Sequence, residues 1–483
     1  MMIAMNRNDV KIKVCPLRQS CGGCQYQGLR YDEQLAEKQR RVEALLGRFA
    51  PVEPILGMDA PYHYRNKVHA AFALDRRRQV ISGIYQPGSH AVVPVDDCQI
   101  EDETCDRIAV SIRSLLREFK LPVYDERSGG GWLRHVLLRR GFATRQVMVV
   151  LVAISPIFKN QKPFLAKLLS LHPEISTVVL NVNDRFGPVV LGAKYKVLYG
   201  SGTIEDILCG LRFRISPSAF YQVNPVQTER LYQKAITLAG LTGKETVLDA
   251  YCGIGTIGLC AASQARQVIG VELNQDAVKD AIYNAKRNGV KNAWFTAGDA
   301  GQFMEQMAQD GQRPDVVFMD PPRSGSDKRF LSSLVKTAPK RIVYISCNPE
   351  TLARDLDTLC AGGYRVRHIQ PVDMFPFTEH VETVVLLSKG EVDSKKIRVE
   401  FSLEDMDMSE FQDGATYPQI KEYVLEHTGL KVSSLYISQI KRKCGLEVGK
   451  NYNLPKSEDS RQPQCPPEKE KAIREAFKYF GMI

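Results

Sequence analysis

The sequence of 483 residues has no long hydrophobic run. No stretch approaches the roughly 20 apolar residues that a membrane-spanning helix needs, and the opening MMIAMNRNDVKIKV lacks the apolar segment of a secretory signal peptide. No internal repeat or long low-complexity segment is visible either. These absences predict a cytoplasmic protein that does not contact a membrane, and the length predicts two to four domains.

Cysteine, by contrast, is plentiful, with 12 residues in the chain. Cytoplasmic thiols are kept reduced, so disulfides are not expected. An organised group of cysteines in such a chain therefore indicates metal binding or catalysis.

Positive charge is distributed unevenly. The net charge is +10, yet residues 391–483 carry nearly equal numbers of acidic and basic residues. The excess therefore lies upstream, which favours a polyanion-binding surface there. Three short runs are candidates for that surface, although each alone is typical of a solvated face: Tyr64-Arg65-Asn66-Lys67, Arg76-Arg77-Arg78 and Leu138-Arg139-Arg140.

Four successive patterns predict four units. Residues 1–48 contain a compact Cys/Gly cluster and the amphipathic spacing QLAEKQRRVEALLGRF, which predicts a cysteine module with a short helix. Residues 49–215 alternate short strands with turns and predict a β-rich domain. Residues 216–391 alternate helices with apolar strands, from TVLDAY to ETVVLLS, and predict a doubly wound parallel sheet. Residues 392–483 predict a small appended helical module.

A glycine-rich turn, YCGIGTIG, follows the strand TVLDA. Gly253 and Gly255 would let the backbone and a helix N-terminus approach a ligand, although any tight strand-to-helix turn could use them. Glu272 ends the next strand, where a carboxylate accepts hydrogen bonds from ribose or caps a helix. Asp299 and Asp320 follow the third and fourth strands. Because strand ends meet at one edge of such a sheet, we predict a cofactor crevice there.

The order of glycine loop, acidic strand end, Asp and then DPP resembles class I S-adenosylmethionine-dependent methyltransferases more than dehydrogenases, so nicotinamide binding is the second interpretation. At the same edge, Cys347 follows the strand RIVYIS, and Glu382 leads into the apolar run TVVLL. A buried carboxylate of raised pKa is a candidate general base, although a structural cysteine and an edge-strand charge are the plain alternatives.

Together DAYCGIGTIGL, DPPRSG, SCNP and DMFPFTEHVE resemble the motifs of the RNA (uracil-5-)-methyltransferase family, over roughly residues 10–390. The resemblance implies a class I Rossmann-like α/β methyltransferase domain, S-adenosylmethionine as cofactor and an RNA substrate. It implies that Cys347 adds to carbon 6 of a uracil and that Glu382 removes the carbon 5 proton. The cofactor-binding residues that the resemblance implies are Gln222, Tyr251, Gly253, Gly255, Thr256, Glu272, Asp299 and Asp320.

Three cysteines, Cys15, Cys21 and Cys24, lie close together, and Cys98 supplies a fourth thiol. Such a set holds structural zinc or an iron–sulfur cluster. The family resemblance implies a [4Fe–4S] cluster on these positions. The C-x3-C-x2-C spacing of radical S-adenosylmethionine enzymes is absent, so a structural or RNA-positioning cluster is predicted.

The cluster-containing branch of the family favours 23S rRNA as substrate, with transfer RNA as the alternative, and no obligate protein partner is predicted. Methylation of a nucleobase amino group is a less favoured interpretation, because Arg323 stands where [DN]PP[YF] enzymes carry an aromatic residue. A non-catalytic RNA-binding protein is disfavoured because Cys347 and Glu382 are both present.

Overall fold

The computed structural model describes residues 14–126, 128–185, 187, 189–389, 417–446, 465–480 and 482. Contacts divide the chain into two compact units, Met1–Val392 and Asp393–Ile483. The predicted boundary at residues 391 and 392 lies outside the described residues, as does the charged segment that follows it. No helix in the described part is long and apolar enough to cross a membrane.

The helices are α1 (Tyr31–Leu46), α2 (Glu103–Glu118), α3 (Gln161–Leu171), α4 (Pro225–Ala239), α5 (Thr256–Ala261), α6 (Gln275–Arg287), α7 (Ala300–Gln309), α8 (Lys328–Thr337), α9 (Pro349–Ala361), α10 (Tyr417–Thr428), α11 (Ser434–Lys443) and α12 (Pro467–Tyr479). The strands are β1 (Lys67–Leu74), β2 (Val80–Tyr85), β3 (Val92–Pro94), β4 (Leu133–Arg140), β5 (Val147–Ala153), β6 (Ile175–Val182), β7 (Lys194–Tyr199), β8 (Ile204–Leu208), β9 (Leu211–Ile215), β10 (Thr246–Ala250), β11 (Gln267–Glu272), β12 (Ala293–Ala297), β13 (Val316–Met319), β14 (Arg341–Ser346), β15 (Tyr364–Val372) and β16 (Glu382–Lys389).

The first sheet has the order β3-β2-β1-β4-β5-β6-β7. Its strands pair antiparallel except β5 and β6, which are parallel because α3 carries the chain back between them. All seven residues of β5, VMVVLVA, are buried, so both faces of the sheet are covered. Helices α2 and α3 pack on one face, and the other face shares a core with the second sheet.

The second sheet has the order β12-β11-β10-β13-β14-β16-β15. Strands β12, β11, β10, β13 and β14 run parallel, joined by helices, as the alternating pattern predicts. The prediction that ETVVLLS continues a parallel sheet is wrong, because β16 pairs antiparallel with both β14 and β15. The order of strands reverses between β10 and β13, and such a switch point opens a ligand crevice at the carboxyl ends of the strands.

Two helices next to this crevice begin at Asn-Pro pairs. The Asn224 side chain accepts a hydrogen bond from Gln227 N at 3.3 Å, and Pro225 occupies the first turn of α4. Asn348 accepts from Glu350 N at 3.1 Å, and Pro349 begins α9. An Asn cap with Pro at the first helical position starts a helix abruptly. Cys347 is therefore left at the junction between β14 and α9.

In the second unit, considered by itself, the described residues form the helices α10, α11 and α12. Its core includes Ile420, Val424, Ile437, Ile473 and Phe477, each fully buried. Helices α10 and α12 lie on the stretches YPQIKEYVLEHTG and PEKEKAIREAFKYF, for which the sequence predicts helices.

Candidate active site

The turn between β10 and α5 has a backbone that favours glycine. Tyr251, Gly253 and Gly255 have positive φ angles of 66°, 56° and 81°. A Cβ atom at Gly255 would lie 2.9 Å from the ring of Phe295, so glycine is required there on two grounds. The fully buried carboxylate of Asp249 accepts a hydrogen bond from Gly258 N at 2.9 Å and fixes the first turn of α5.

Sequence reasoning missed Asp249, although it stands in the quoted strand TVLDAY. Burial raises the pKa of its carboxyl to about 8. A buried acid directly before a glycine turn was the available signal.

A cavity of about 310 Å³, here called the acidic cavity, opens beside this turn. Three of the predicted cofactor residues, Tyr251, Glu272 and Asp299, line it together. Its remaining lining comes from Val271, Leu273, Gly298, Ala300, Pro322, Ser324, Gly325 and Asp327. Three carboxylates around one cavity favour a cationic or hydroxyl-rich ligand.

The carboxylates of the acidic cavity also shape the local backbone. Glu272 accepts hydrogen bonds from Gly253 N at 3.0 Å and Asn274 N at 2.8 Å, and so ties the glycine turn to the next strand. Asp299 caps α7 by accepting from Gln302 N at 2.9 Å. Capping and ligand binding are compatible, because a carboxylate has about four acceptor positions.

The remaining predicted cofactor residues are not part of the lining of this cavity. Thr256 is hydrogen-bonded to the Tyr232 hydroxyl at 2.9 Å. Burial, together with the negative charge of Asp320, raises the pKa of that tyrosine. Gln222 is buried, and its backbone carbonyl accepts a hydrogen bond from Asn66 Nδ2 at 3.1 Å. Tyr232 connects the glycine turn to Asp320 and was not expected from the sequence.

Cys347 and Glu382, the candidate catalytic residues and called the catalytic pair below, lie side by side at the same sheet edge. The antiparallel register of β14 and β16 places Ser346 opposite Thr383. Cys347 directly follows Ser346 at the end of β14, and Glu382 directly precedes Thr383 at the start of β16. The two residues therefore lie opposite each other where the paired strands end and begin. Glu382 is only 3% exposed, and its Oε2 atom has no hydrogen-bond partner among the residues that the structure describes.

The pKa values of the catalytic pair follow from the burial of the two side chains and from the charges near them. Burial, reinforced by the nearby carboxylate of Asp320, raises the pKa of Glu382 well above its usual range. Burial also raises the pKa of Asp320 to about 7. The pKa of the Cys347 thiol rises to about 12 through burial and both carboxylates, and Arg323 opposes the rise. A buried base that is hard to ionise is a strong proton acceptor once ionised.

Hydrogen bonds from the first residues of α9 and its N-cap hold the DPPRSG loop in place. Asn348 Nδ2 and Thr351 Oγ1 both donate to the carbonyl of Arg323 at 3.3 Å. Gly325 has φ +79°, and a Cβ atom there would lie 2.7 Å from Asp355 Oδ2. The exposed Arg323 guanidinium contacts His380 Nδ1 at 3.1 Å, at the mouth of the catalytic pair.

The DMFPFTEH loop, which leads into Glu382, is held by α1. Lys38 Nζ lies 2.5 Å from Asp373 Oδ1, and both side chains are fully buried. Lys38 also donates to the carbonyl of Phe375 at 3.0 Å, and the Tyr31 hydroxyl donates to Asp373 Oδ2 at 2.7 Å. This buried network joins the helix after the cysteine cluster to the loop before the candidate base.

The predicted cluster ligands Cys15, Cys21, Cys24 and Cys98 line a single cavity of about 450 Å³, the thiol cavity. Burial raises the pKa of Cys24 to about 11 and raises those of Cys21 and Cys98. In the described part of the chain, no three His, Cys, Asp or Glu side chains are grouped as ligands of one metal ion.

The basic runs predicted to bind RNA differ in how far they are exposed to solvent. Tyr64 is 1% exposed and its hydroxyl donates to the carbonyl of Pro376 at 3.0 Å, so this residue fixes the loop near the catalytic pair. Arg139 is 5% exposed and donates to the carbonyl of Ala219 at 2.5 Å. Arg76–Arg78 are exposed at the turn between β1 and β2. Sequence reasoning overlooked Phe220, which is 65% exposed.

Comparison with known proteins agrees with this architecture. The family model described as tRNA (Uracil-5-)-methyltransferase matches residues 197–390. An uncharacterized RNA methyltransferase of Halalkalibacterium halodurans is 43% identical over 378 residues, which cover 77% of this chain and 82% of the relative. One of Enterococcus faecalis is 43% identical over 391 residues, covering 80% and 83%.

A solved structure is also similar. The tRNA (uracil-54, C5)-methyltransferase of Pyrococcus abyssi, in complex with S-adenosyl-L-homocysteine, is 28% identical. The similarity covers 76% of this chain and 86% of that one, with a TM-score of 0.64.

The fold and the crevice define an S-adenosylmethionine-dependent methyltransferase with a Rossmann-like domain. The chain belongs to the RNA (uracil-5-)-methyltransferase family and is an RNA methyltransferase of that type.

Proposed function

We propose that the protein methylates carbon 5 of a uridine in 23S rRNA, through a covalent adduct of Cys347 at carbon 6 of the uracil and proton abstraction by Glu382. The observation that carries this proposal is the juxtaposition of the catalytic pair across β14 and β16, in the sheet whose strands β10, β11 and β12 end at the acidic cavity.

The chemistry requires two different side chains on one base. Carbon 5 of uracil is a weak nucleophile, and addition of the Cys347 sulfur to carbon 6 converts the ring to an enolate with electron density on carbon 5. Bound S-adenosylmethionine supplies the electrophilic methyl group. Glu382 then removes the carbon 5 proton, the ring double bond re-forms, and the sulfur of Cys347 leaves as the enzyme is regenerated.

The surroundings of the pair support these roles. The carboxylate Oε2 atom of Glu382 has no partner within the described residues and is available to a proton of the substrate. Burial and the carboxylates of Glu382 and Asp320 raise the pKa of the Cys347 thiol to about 12, and Arg323 opposes that rise, so its positive charge supports the nucleophilic thiolate. The target base must leave its stack to reach the pair, and the exposed Phe220 offers a ring for a neighbouring base.

Gln222, Tyr251, Gly253, Gly255, Thr256, Glu272, Asp299 and Asp320 are the residues that we propose bind S-adenosylmethionine. The carboxylates of the acidic cavity suit the ribose hydroxyls and the positive charge of the cofactor. Glu272 and Tyr251 lie where the strand ends meet.

We propose that Cys15, Cys21, Cys24 and Cys98 hold a [4Fe–4S] cluster. Four thiols around one cavity are the donor set of such a cluster. Zinc would require the sulfurs to converge on one ion, whereas cluster ligands bind separate iron atoms and stand further apart. Bound there, the cluster would crosslink the N-terminal segment to the first sheet.

The two candidate substrates are 23S rRNA and transfer RNA. The family description and the Pyrococcus abyssi relative are named for transfer RNA. The cysteine set favours 23S rRNA, and we propose that the enzyme works in the cytoplasm without an obligate protein partner.

The Glu382→Gln variant tests the proposed mechanism. It should add to the uracil and transfer the methyl group but fail to release Cys347, leaving a denaturation-resistant protein–RNA complex with ordinary uridine. Glu379→Gln, a neighbouring exposed carboxylate, is the matched control and should turn over normally. Release of methylated RNA by Glu382→Gln at the normal rate would contradict the role of Glu382. Sequencing of the trapped RNA distinguishes 23S rRNA from transfer RNA.

A further inference from the structure

A groove of about 490 Å³ opens at one end of the first sheet, where β1 turns into β2 and α2 ends. It is called the basic groove below. Among the described residues that line it, three exposed cations, Arg78, Arg117 and Lys120, stand against one carboxylate, Asp125. The apolar residues of the lining are Leu74, Val80, Leu116, Leu121, Pro122 and Val123. An apolar floor with a cationic rim is complementary to a ligand that joins an apolar body to negative charge.

Two of the rim cations stand at backbone positions that favour glycine. Arg78 and Lys120 have φ angles of +56° and +50°, in the left-handed region. That region disfavours any residue with a Cβ atom, so a turn that only reverses the chain gains nothing from a long side chain there. Backbone strain of this kind concentrates at binding sites, which indicates that the two cations serve a ligand.

The walls of the basic groove are held by hydrogen bonds. The loop on one side is closed by Asp125 N, which donates to the carbonyl of Gly130 at 2.8 Å. On the other side, the Arg117 guanidinium donates to the carbonyl of Val80. A guanidinium has five N–H donors, so it can hold this carbonyl and bind a phosphate as well. A groove that is already formed lowers the entropy cost of binding.

Strand β1 connects the basic groove to the catalytic crevice. Leu74, the last residue of β1, lines the groove. Just before the first residue of β1, Asn66 N donates to the carbonyl of Val223 at 2.8 Å, and Val223 follows the predicted cofactor residue Gln222. At about 3.3 Å per residue, the strand spans about 23 Å. A ligand of the groove is therefore too distant to be the target nucleotide, but the same RNA chain can reach both places.

We propose that the basic groove binds a single-stranded nucleotide of the substrate RNA a few positions from the target uridine, with its base on the apolar floor and its phosphates at Arg78, Arg117 and Lys120. The base must be unpaired and unstacked to cover an apolar floor. RNA is favoured over an acidic protein segment because the chain belongs to an RNA-methylating family. The inference rests on the proposed methylation of RNA and identifies where the flanking strand is held.

The test measures binding of a fluorescent oligouridine to the full-length holoprotein by anisotropy, without S-adenosylmethionine. Arg78→Gly and Lys120→Gly should each raise Kd about two- to fivefold, and the double variant should combine the two effects. Each change should also lower the slope of log Kd against log salt by about 0.7. Thermal stability should not fall, since a left-handed backbone suits glycine. Because the assay needs no methyl transfer, failure of the cysteine mechanism would leave it unaffected.

Two further variants separate the groove from general charge. Arg145 is also exposed and left-handed, with φ +60°, in the turn between β4 and β5. That turn lies at the opposite end of the sheet, because Lys67 of β1 pairs with Arg139 of β4. Arg145→Gly is therefore the matched control and should leave Kd unchanged. Leu74 is 40% exposed, and Leu74→Ser should weaken binding several-fold without changing the salt slope, since it alters the floor alone.

Three results would overturn the proposal. The first is a change of less than about twofold in Kd for the double variant, with an unchanged salt slope. The second is an equal loss in Arg145→Gly, because affinity would then follow net charge rather than the groove. The third is displacement of the labelled RNA by uridine 5′-monophosphate or oligoglutamate as effectively as by unlabelled oligouridine. The groove would then take a free nucleotide or an acidic protein segment.

Discussion

The buried ion pair of Lys38 and Asp373 provides the sharpest prediction about what holds the active site together. Both side chains are 0% exposed, and Lys38 also donates to the carbonyl of Phe375. In Lys38→Met the Asp373 carboxylate stays buried, and the Tyr31 hydroxyl is its remaining side-chain donor among the described residues. Removal of one partner of a buried pair costs about 3–5 kcal/mol, and we expect a loss of that size in the free energy of unfolding.

Urea titrations followed by far-ultraviolet circular dichroism would measure this loss. The double variant Lys38→Met, Asp373→Asn should lose less than the sum of the two single variants, with a coupling of about 1–3 kcal/mol. Arg48→Met is the matched control, because its pair with Asp357 is solvent-exposed and worth at most about 1 kcal/mol. Turnover should fall in Lys38→Met, since the loop leads to Glu382. Equal stability losses in Lys38→Met and Arg48→Met would refute the reasoning.

Three further predictions concern ionisation and the crevice. The methylation rate should rise as pH increases through about 7, because Asp320 and Glu382 must lose protons that burial retains, and a flat pH profile would contradict this. The folded-state pKa of Asp249, about 8, lies above its unfolded value of about 3.9, so its contribution to stability is complete below pH about 4 and is lost as pH rises through 8. Asp249→Asn should remove that loss in thermal melts at successive pH values. Gly325→Ala should raise the KM for S-adenosylmethionine several-fold, because φ +79° disfavours alanine by about 1–2 kcal/mol and its Cβ would meet Asp355. An unchanged KM would show that cofactor binding does not depend on the conformation of this loop.

Much of the second sheet could be predicted from the sequence. Apolar strands alternating with helices, and a glycine turn after the first of them, indicated the crevice that Tyr251, Glu272 and Asp299 line together. Local patterns suffice here because parallel strands end at one edge whatever their exact register.

The neighbouring positions of Cys347 and Glu382 could not be derived in the same way. They depend on the antiparallel return of β16 against β14, and strand β15, which precedes that return, carries the weak pattern YRVRHIQPV. The family resemblance, rather than periodicity, pointed to this pair.

No local pattern in the sequence indicates that Lys38 pairs with Asp373. Lys38 stands among charged residues of an amphipathic helix, where a solvated lysine is the ordinary expectation. Only the tertiary fold brings the helix to the loop and buries both charges. Similarly, Tyr64 in a basic run was expected at the RNA surface, and burial of its ring by Ile100 and Phe377 reassigns it to packing.

The central claim is covalent catalysis by Cys347, and trapping with 5-fluorouridine tests it most directly. Anaerobically prepared protein, S-adenosylmethionine and RNA containing 5-fluorouridine should yield a denaturation-resistant complex, because Glu382 cannot remove fluorine. Intact-mass measurement should show protein, RNA and one methyl group joined, in the natural chain and in Cys360→Ala but not in Cys347→Ala. Methyl transfer to RNA in an active preparation that never forms this complex would contradict the claim.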